Sequence, residues 1–233
     1  MQSLYLARHG QASFGSDDYD RLTDVGTRQC TLLGERLNSL QPQRPVLVGG
    51  SHRRHLQSAL ACAEAWGPVL DTEYGVDAGF DEYDHTEILL QATPQFQDLR
   101  ALSAHVAQQD DPPRAFQRMF ADAAARWVSG KFDGEYTQSW SAFADRCWAT
   151  LRGLPARHGA TQPVMVFTSG GVIGAICQRL LGIPDERIFD LTWSLQNAGL
   201  TRLMVDDDGH FKLGYLNCIA HLDTSDGRFL TYR

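Results

Sequence analysis

The strongest constraint on the fold is an alternation. Short apolar runs, each too brief for a helix, take turns with longer segments whose apolar residues recur at helical spacing. Residues 3–7 (SLYLA) form a strand candidate. A helix is expected from Thr23, whose hydroxyl can cap it, with Val25, Leu33, Leu37 and Leu40 on one face. Pro42 and Pro45 punctuate its end, and VLV at 46–48 reads as a second buried strand. A helix over about 53–66 follows, with Leu56, Leu60 and Ala63 at helical spacing, and PVL at 68–70 is a third strand candidate. Strand–helix–strand–helix–strand is the mark of a parallel sheet, because parallel neighbours need a crossover connection.

The middle of the chain loses its strands. Phe116, Phe120, Ala123 and Trp127 mark one helix, and Trp140, Phe143, Ala144, Cys147, Leu151 and Leu154 a stronger one, with DDPPR at 110–114 breaking the chain before them. VMVF at 164–167 resumes the sheet and GGVIGAICQRLLG supplies the next helix. LTRLMV and FKLGYL then flank Asp207-Asp208-Gly209, a hairpin turn, so one edge of the sheet is expected to be antiparallel. The expected fold is a three-layer α/β/α domain with a mostly parallel sheet and an antiparallel edge. Residues 1–233 form one domain, with 86–135 as a helical insertion over the C-terminal edge of the sheet.

Composition narrows the function classes. A 43% hydrophobic share over 233 residues is ample for a core, and a formal net charge of -7 argues against a general binder of nucleic acid or anionic membrane. No run of 18 apolar residues and no leader pattern is visible. Cys30, Cys62, Cys147, Cys177 and Cys218 are odd in number and form no C-x-x-C, so reduced, mostly buried thiols and a cytoplasmic setting are expected. Oligomeric state is not legible.

Four segments fall at the expected C-terminal ends of strands, where open α/β sheets bind ligands. Arg8-His9-Gly10 follows the first strand, and GSHRRHLQSA (50–59) the second, where Arg53 or Arg54 starts a helix. GFDEYDH (79–85) brings Glu82 and Asp84, and Thr168-Ser169-Gly170-Gly171 precedes a helix whose positive end suits an anion. His9 alone is compatible with a nucleophile, an acid–base or a structural role. Arginines, a histidine, a carboxylate and a helix N-terminus together suit phosphoryl transfer.

These segments resemble the histidine phosphatase superfamily, the phosphoglycerate-mutase-like proteins. The family opening, Arg-His-Gly followed by Leu-Thr-x-x-Gly-x-x-Gln, matches Arg8-His9-Gly10 and Leu22 to Gln29. The Arg-Ala-x-Gln-Thr-Ala block is similar to Arg54-His55-Leu56-Gln57-Ser58-Ala59, the acidic block aligns at Phe80-Asp81-Glu82, and Ser-His-Gly-Gly corresponds to Thr168-Ser169-Gly170-Gly171. The resemblance implies His9 as the nucleophile that becomes phosphohistidine and Glu82 as proton donor. It implies Arg8, Arg54, Ser169 and Gly170 as the phosphate-binding set, with no metal and no cofactor. It departs at Ser169, where the family carries a second histidine; loss of one preorganised donor costs on the order of 10²–10³ in rate. Ser169→His is therefore expected to raise activity if the site is otherwise intact. Gln11-Ala12 and Gly15 also depart from mutase patterns.

The leading expectation is a phosphatase acting on a small phosphomonoester. The alternatives are a catalytically weak member that binds phospho-ligands or a protein, and a phosphoglycerate-type mutase. His85 or His52 is the expected stand-in for the missing histidine, while His52 and His55 otherwise read as solvated helix-start residues with no third metal ligand. Asp206-Asp207-Asp208-Gly209 reads as a solvated turn, and Asn197 as a turn residue. Trp127, Trp140 and Trp148 read as insertion core and Trp193 as a possible cleft residue. Arg100, Arg114 and Arg118 have no position fixed by sequence.

Overall fold

The computed structural model describes residues 1–13, 20–40, 43–66, 73–159, 161–223 and 227–232. Among them, six strands form one sheet: β1 (Gln2–Arg8), β2 (Val46–Gly49), β3 (Tyr74–Val76), β4 (Val164–Thr168), β5 (Leu200–Val205) and β6 (Phe211–Cys218). Their order is β3-β2-β4-β1-β5-β6. The first four run parallel, while β5 is antiparallel to β1 and β6 to β5. The strand candidate at 68–70 lies outside the described residues, and the edge strand is β3.

Side chains alternate across the sheet with the two-residue period of a strand. Leu4, Leu6, Val164 and Val166 enter one core, whereas Tyr5, Ala7, Met165 and Phe167 enter the other. The second core is covered by α1 (Asp24–Leu40) and α2 (Arg53–Ala65). The first is covered by α3 (His85–Ala92), α4 (Leu99–Val106), α5 (Pro112–Val128), α6 (Trp140–Arg152), α7 (Leu154–His158), α8 (Gly170–Leu181) and α9 (Ile188–Thr192). A sheet between two helical layers results.

Local signals behave as their chemistry requires. Thr23 Oγ1 accepts the Gly26 N–H at the start of α1, 3.0 Å. DDPPR begins a helix: Asp111 caps α5 by accepting the Arg114 N–H, and Pro112 stands where no N–H is needed. Leu33 and Leu37 are buried as expected, but Leu40 is 61% exposed. The face expected for α2 holds only at Ala63. Leu56 and Leu60 are exposed, and the helix instead buries Arg54, His55, Ser58, Ala59 and Cys62. That polar inward face is the first structural sign that α2 builds a site.

At the hairpin turn, the Asp206 carboxylate accepts the Asp208 and His210 N–H groups and pairs with Lys212 at 2.9 Å. This is turn chemistry, so the Asp206, Asp208 and His210 cluster already has its work. Of the five cysteines, all free, only Cys218 is not buried.

Candidate active site

Strand pairing brings the pieces together. Arg8 pairs with Thr168 in the β1–β4 register, and the His9 N–H continues the ladder to the Thr168 carbonyl at 2.8 Å. His9 and Ser169 therefore leave adjacent parallel strands at the same edge. Gly10 turns away beside α1, where a Cβ would stand 2.3 Å from the Gly26 carbonyl oxygen. Its N–H donates to Ser58 Oγ at 3.0 Å, which locks the turn to α2.

His9 is 4% exposed. Its Nδ1 lies 2.7 Å from the Gly10 carbonyl oxygen, which can only accept, so the proton sits on Nδ1 and Nε2 carries the lone pair. Burial, then Arg54 and Arg8, push the ring well below the usual histidine range and keep it neutral. From the other side, Asn197 Nδ2 donates to the His9 carbonyl at 3.2 Å. Asn197 is fully buried and holds the His9 backbone, a role its sequence context does not display.

Two guanidinium groups flank this ring. Arg8 donates to the Leu195 carbonyl and, at 3.0 Å, to the Tyr232 carbonyl. Arg54 Nη1 forms an ion pair with Asp20 at 2.7 Å, and Nη2 lies 3.5 Å from Ser169 Oγ. Asp20 is a site residue that sequence reasoning missed. It follows no motif, and only the fold carries it to the start of α2.

Glu82 approaches opposite. Its Oε2 accepts the Gly171 N–H at 2.9 Å and its Oε1 the Tyr83 N–H at 3.2 Å. Burial raises its pKa above the usual carboxylate range, against the Gly171 hydrogen bond and Arg54. The Gly171 N–H is therefore committed to Glu82, and Gly170 is the glycine that lines the cavity without that commitment. The cavity measures about 830 Å³ and takes in Arg8, His9, Arg54, Glu82, Ser169 and Gly170 together. The insertion contributes Arg114, Phe116, Arg118 and Phe120 from α5, and Trp193 and His85 also face it. Trp127 and Trp140 are buried core.

A match to the family model of the histidine phosphatase superfamily (branch 1) covers residues 4–218. The chain belongs to this superfamily. Among curated relatives of this histidine phosphatase is glucosyl-3-phosphoglycerate phosphatase of Mycolicibacterium vanbaalenii, 28% identical over 87% of this chain and 86% of the relative. Similar solved structures include a mutant phosphoserine phosphatase of Entamoeba histolytica in complex with phosphoserine. Its TM-score is 0.65 at 18% identity, covering 95% of this chain and 100% of that one. A mycobacterial glucosyl-3-phosphoglycerate phosphatase matches with TM-score 0.63 at 22% identity, covering 94% and 99%. The superfamily fold and the arrangement of the α/β/α layers agree.

One expectation for this histidine phosphatase needs correction. His55 is no solvated helix-start residue: it is fully buried, and its Nε2 lies 2.8 Å from Ser169 Oγ. His85 lines the cavity and His52 packs edge-on against the His55 ring at 5.2 Å. The ring in hydrogen-bond contact with Ser169 is His55. Its polarity on an inward helix face, between Arg54 and Ser58, was the available signal.

Proposed function

We propose that this chain is a phosphatase that hydrolyses a small phosphomonoester through a phosphohistidine at His9. One observation carries the reading: His9 Nδ1 is tied to the Gly10 carbonyl while Nε2 shares a cavity with Arg8, Arg54 and Glu82. Nucleophilic attack needs a lone pair at neutral pH, and this ring keeps one.

In the first step, His9 Nε2 attacks phosphorus, the P–O bond to the leaving alcohol breaks, and the protonated Glu82 carboxyl supplies that oxygen's proton. Arg8, Arg54 and the N-terminal end of α8 offset the charge on the phosphoryl oxygens. In the second step, the Glu82 carboxylate takes a proton from water, the water oxygen bonds to phosphorus, and the P–N bond breaks to free phosphate. No metal is invoked in either step. Raised Glu82 and depressed His9 pKa values suit these roles, because acid and nucleophile must be protonated and neutral together.

The substrate is proposed to carry a second anionic group. Arg114 and Arg118 face the cavity from α5 beside Phe116, Phe120 and Trp193, so residues 86–135 act as a cap that pairs cations with an aromatic wall. The mycobacterial relative named for a glucosylated phosphoglycerate supports a substrate of this kind.

The deciding experiment incubates the protein with a labelled phosphomonoester without added metal. An acid-labile, base-stable phosphoprotein that is absent in His9→Asn is expected. A label that survives acid, or persists in His9→Asn, excludes the mechanism.

A further inference from the structure

Ser169 stands at the N-cap of α8, the position where serine ordinarily accepts a helix N–H, yet its side chain makes no cap hydrogen bond. Its hydroxyl instead meets His55 Nε2 at 2.8 Å. Ser169 is 1% exposed and still lines the cavity beside Arg54 and His9. Behind it, the His55 ring fills the space between Ser169 and Gly50, and its centroid lies 5.8 Å from that of His9.

We propose that His55 is a positioning residue that acts through Ser169, and that the two side chains together make one phosphoryl-oxygen donor. This rests on the phosphoryl-binding reading of the cavity. His55 Nε2–H donates to Ser169 Oγ, which leaves the Ser169 O–H proton free to point at a phosphoryl oxygen held by Arg54. The tautomer follows from the surroundings. A bound phosphoryl oxygen can only accept, so it draws the Ser169 O–H proton and leaves Oγ to accept from Nε2. This tautomer gives up the contact that Nδ1 makes with the Gly50 backbone, which is not a well-shaped hydrogen bond.

Sequence and geometry agree on what has been exchanged. The motif that resembles Arg-Ala-x-Gln-Thr-Ala carries the large His55 where alanine is small, and the motif that resembles Ser-His-Gly-Gly carries the small Ser169 where histidine is large. An imidazole therefore reaches Ser169 from α2, behind the cavity wall, where the resembled motif carries one at the β4–α8 junction. Burial, with His9 and Arg54 next in weight, keeps the His55 ring neutral, so it supplies a hydrogen bond and not a charge.

The test measures orthovanadate affinity by calorimetry, which needs no turnover. His55→Leu keeps the volume and loses the N–H, whereas His55→Gln keeps an N–H at the same reach. His55→Leu and Ser169→Ala are each expected to weaken vanadate by about 10- to 100-fold, the range for a hydrogen bond to a charged group. The double variant should be no weaker than either single, since the two form one device. His55→Gln should recover to within about fivefold of wild type. A purely structural histidine would tolerate leucine. Vanadate affinity within twofold of wild type in folded His55→Leu, additive losses in the double variant, or no vanadate binding by wild type overturns the proposal. Absence of a His9 phosphoryl label, with vanadate binding behaving as expected, would instead remove the phosphatase reading alone.

Discussion

Asp20 Oδ1 lies 2.7 Å from Arg54 Nη1, and Oδ2 of the same carboxylate accepts the Arg53 backbone N–H at 2.7 Å. One side chain thereby orients the guanidinium and satisfies the start of α2, where His52 offers no side-chain cap. Asp20→Ala is expected to raise KM for a phosphomonoester roughly tenfold, because Arg54 loses the partner that aims it. Stability should fall by about 1 kcal/mol, the usual cost of a lost helix cap. Steady-state kinetics and urea unfolding read the two effects separately. An unchanged KM would show that Arg54 is aimed without Asp20.

Gly171 fixes Glu82, the proposed proton donor. A Cβ there would stand 2.2 Å from Glu82 Oε1 and 2.5 Å from Tyr83 Cε1, so Gly171→Ala must push Glu82 off its hydrogen bond. The expected loss is on the order of 10² in kcat for an alkyl phosphate, in the range of general-acid catalysis. A nitrophenyl phosphate, whose leaving oxygen scarcely needs a proton, should lose much less. Equal losses on both substrates would point to a general collapse of the pocket.

How much of this was legible in the sequence depends on the length of the interaction. The strands at β1, β2 and β4 follow from uninterrupted apolar runs, and His9 and Glu82 from their positions at strand ends. Position alone left Arg53 or Arg54, and the resemblance to the family motif singled out Arg54. β3 was not anticipated because an edge strand of three residues, Tyr74–Val76, has one intermediate and two exposed positions and leaves no apolar signature, while the strand expected at 68–70 lies outside the described residues. The inward face of α2 was misread because its buried residues include Arg54, His55 and Ser58, which a hydrophobic pattern passes over. Asp20 and Asn197 contact residues 34 and 188 positions away, respectively, and such partners are set by topology rather than by spacing. His55 was visible as a letter and hidden as a neighbour of Ser169.

The same neighbourhood changes the expectation for Ser169→His. Space beside Ser169 holds the His55 ring, so a second imidazole must displace it, and overpacking of this kind costs about 1–3 kcal/mol. The single variant should lose stability and gain no activity. Combined with His55→Ala, which opens the room, the same substitution should recover both. Melting temperatures and phosphate release over the four combinations decide it, and a gain of activity in the single variant would show that the space is free.

Arg114 and Arg118 are exposed on α5 and still line the cavity. Reversing both to glutamate should raise KM for a substrate bearing a second anion by roughly 10-fold or more, with like charge now facing like charge. For phenyl phosphate, which has no second anion, KM should move far less. Parallel changes for both substrates would remove the cap arginines from substrate selection.

Buried neutral histidines also set how stability follows pH. His9 and His55 are held well below the ordinary histidine range and His221 at about 4, each chiefly by burial. Their folded pKa values are depressed, so their contribution is fully present above the unfolded value near 6.5. As pH falls below that value, the unfolded chain takes up protons that the folded chain refuses, and stability is lost until the folded pKa values are reached. Each such histidine costs about 1.4 kcal/mol per pH unit in that window. Glu82 works in the opposite sense: its raised pKa favours the folded state as it gains its proton first, which softens the loss at the acid end. Urea unfolding between pH 7.5 and 5.5 should therefore show falling stability in wild type, and in His55→Leu a slope shallower by about one histidine's share. An unchanged slope in His55→Leu would mean that His55 titrates in the folded protein as it does in water.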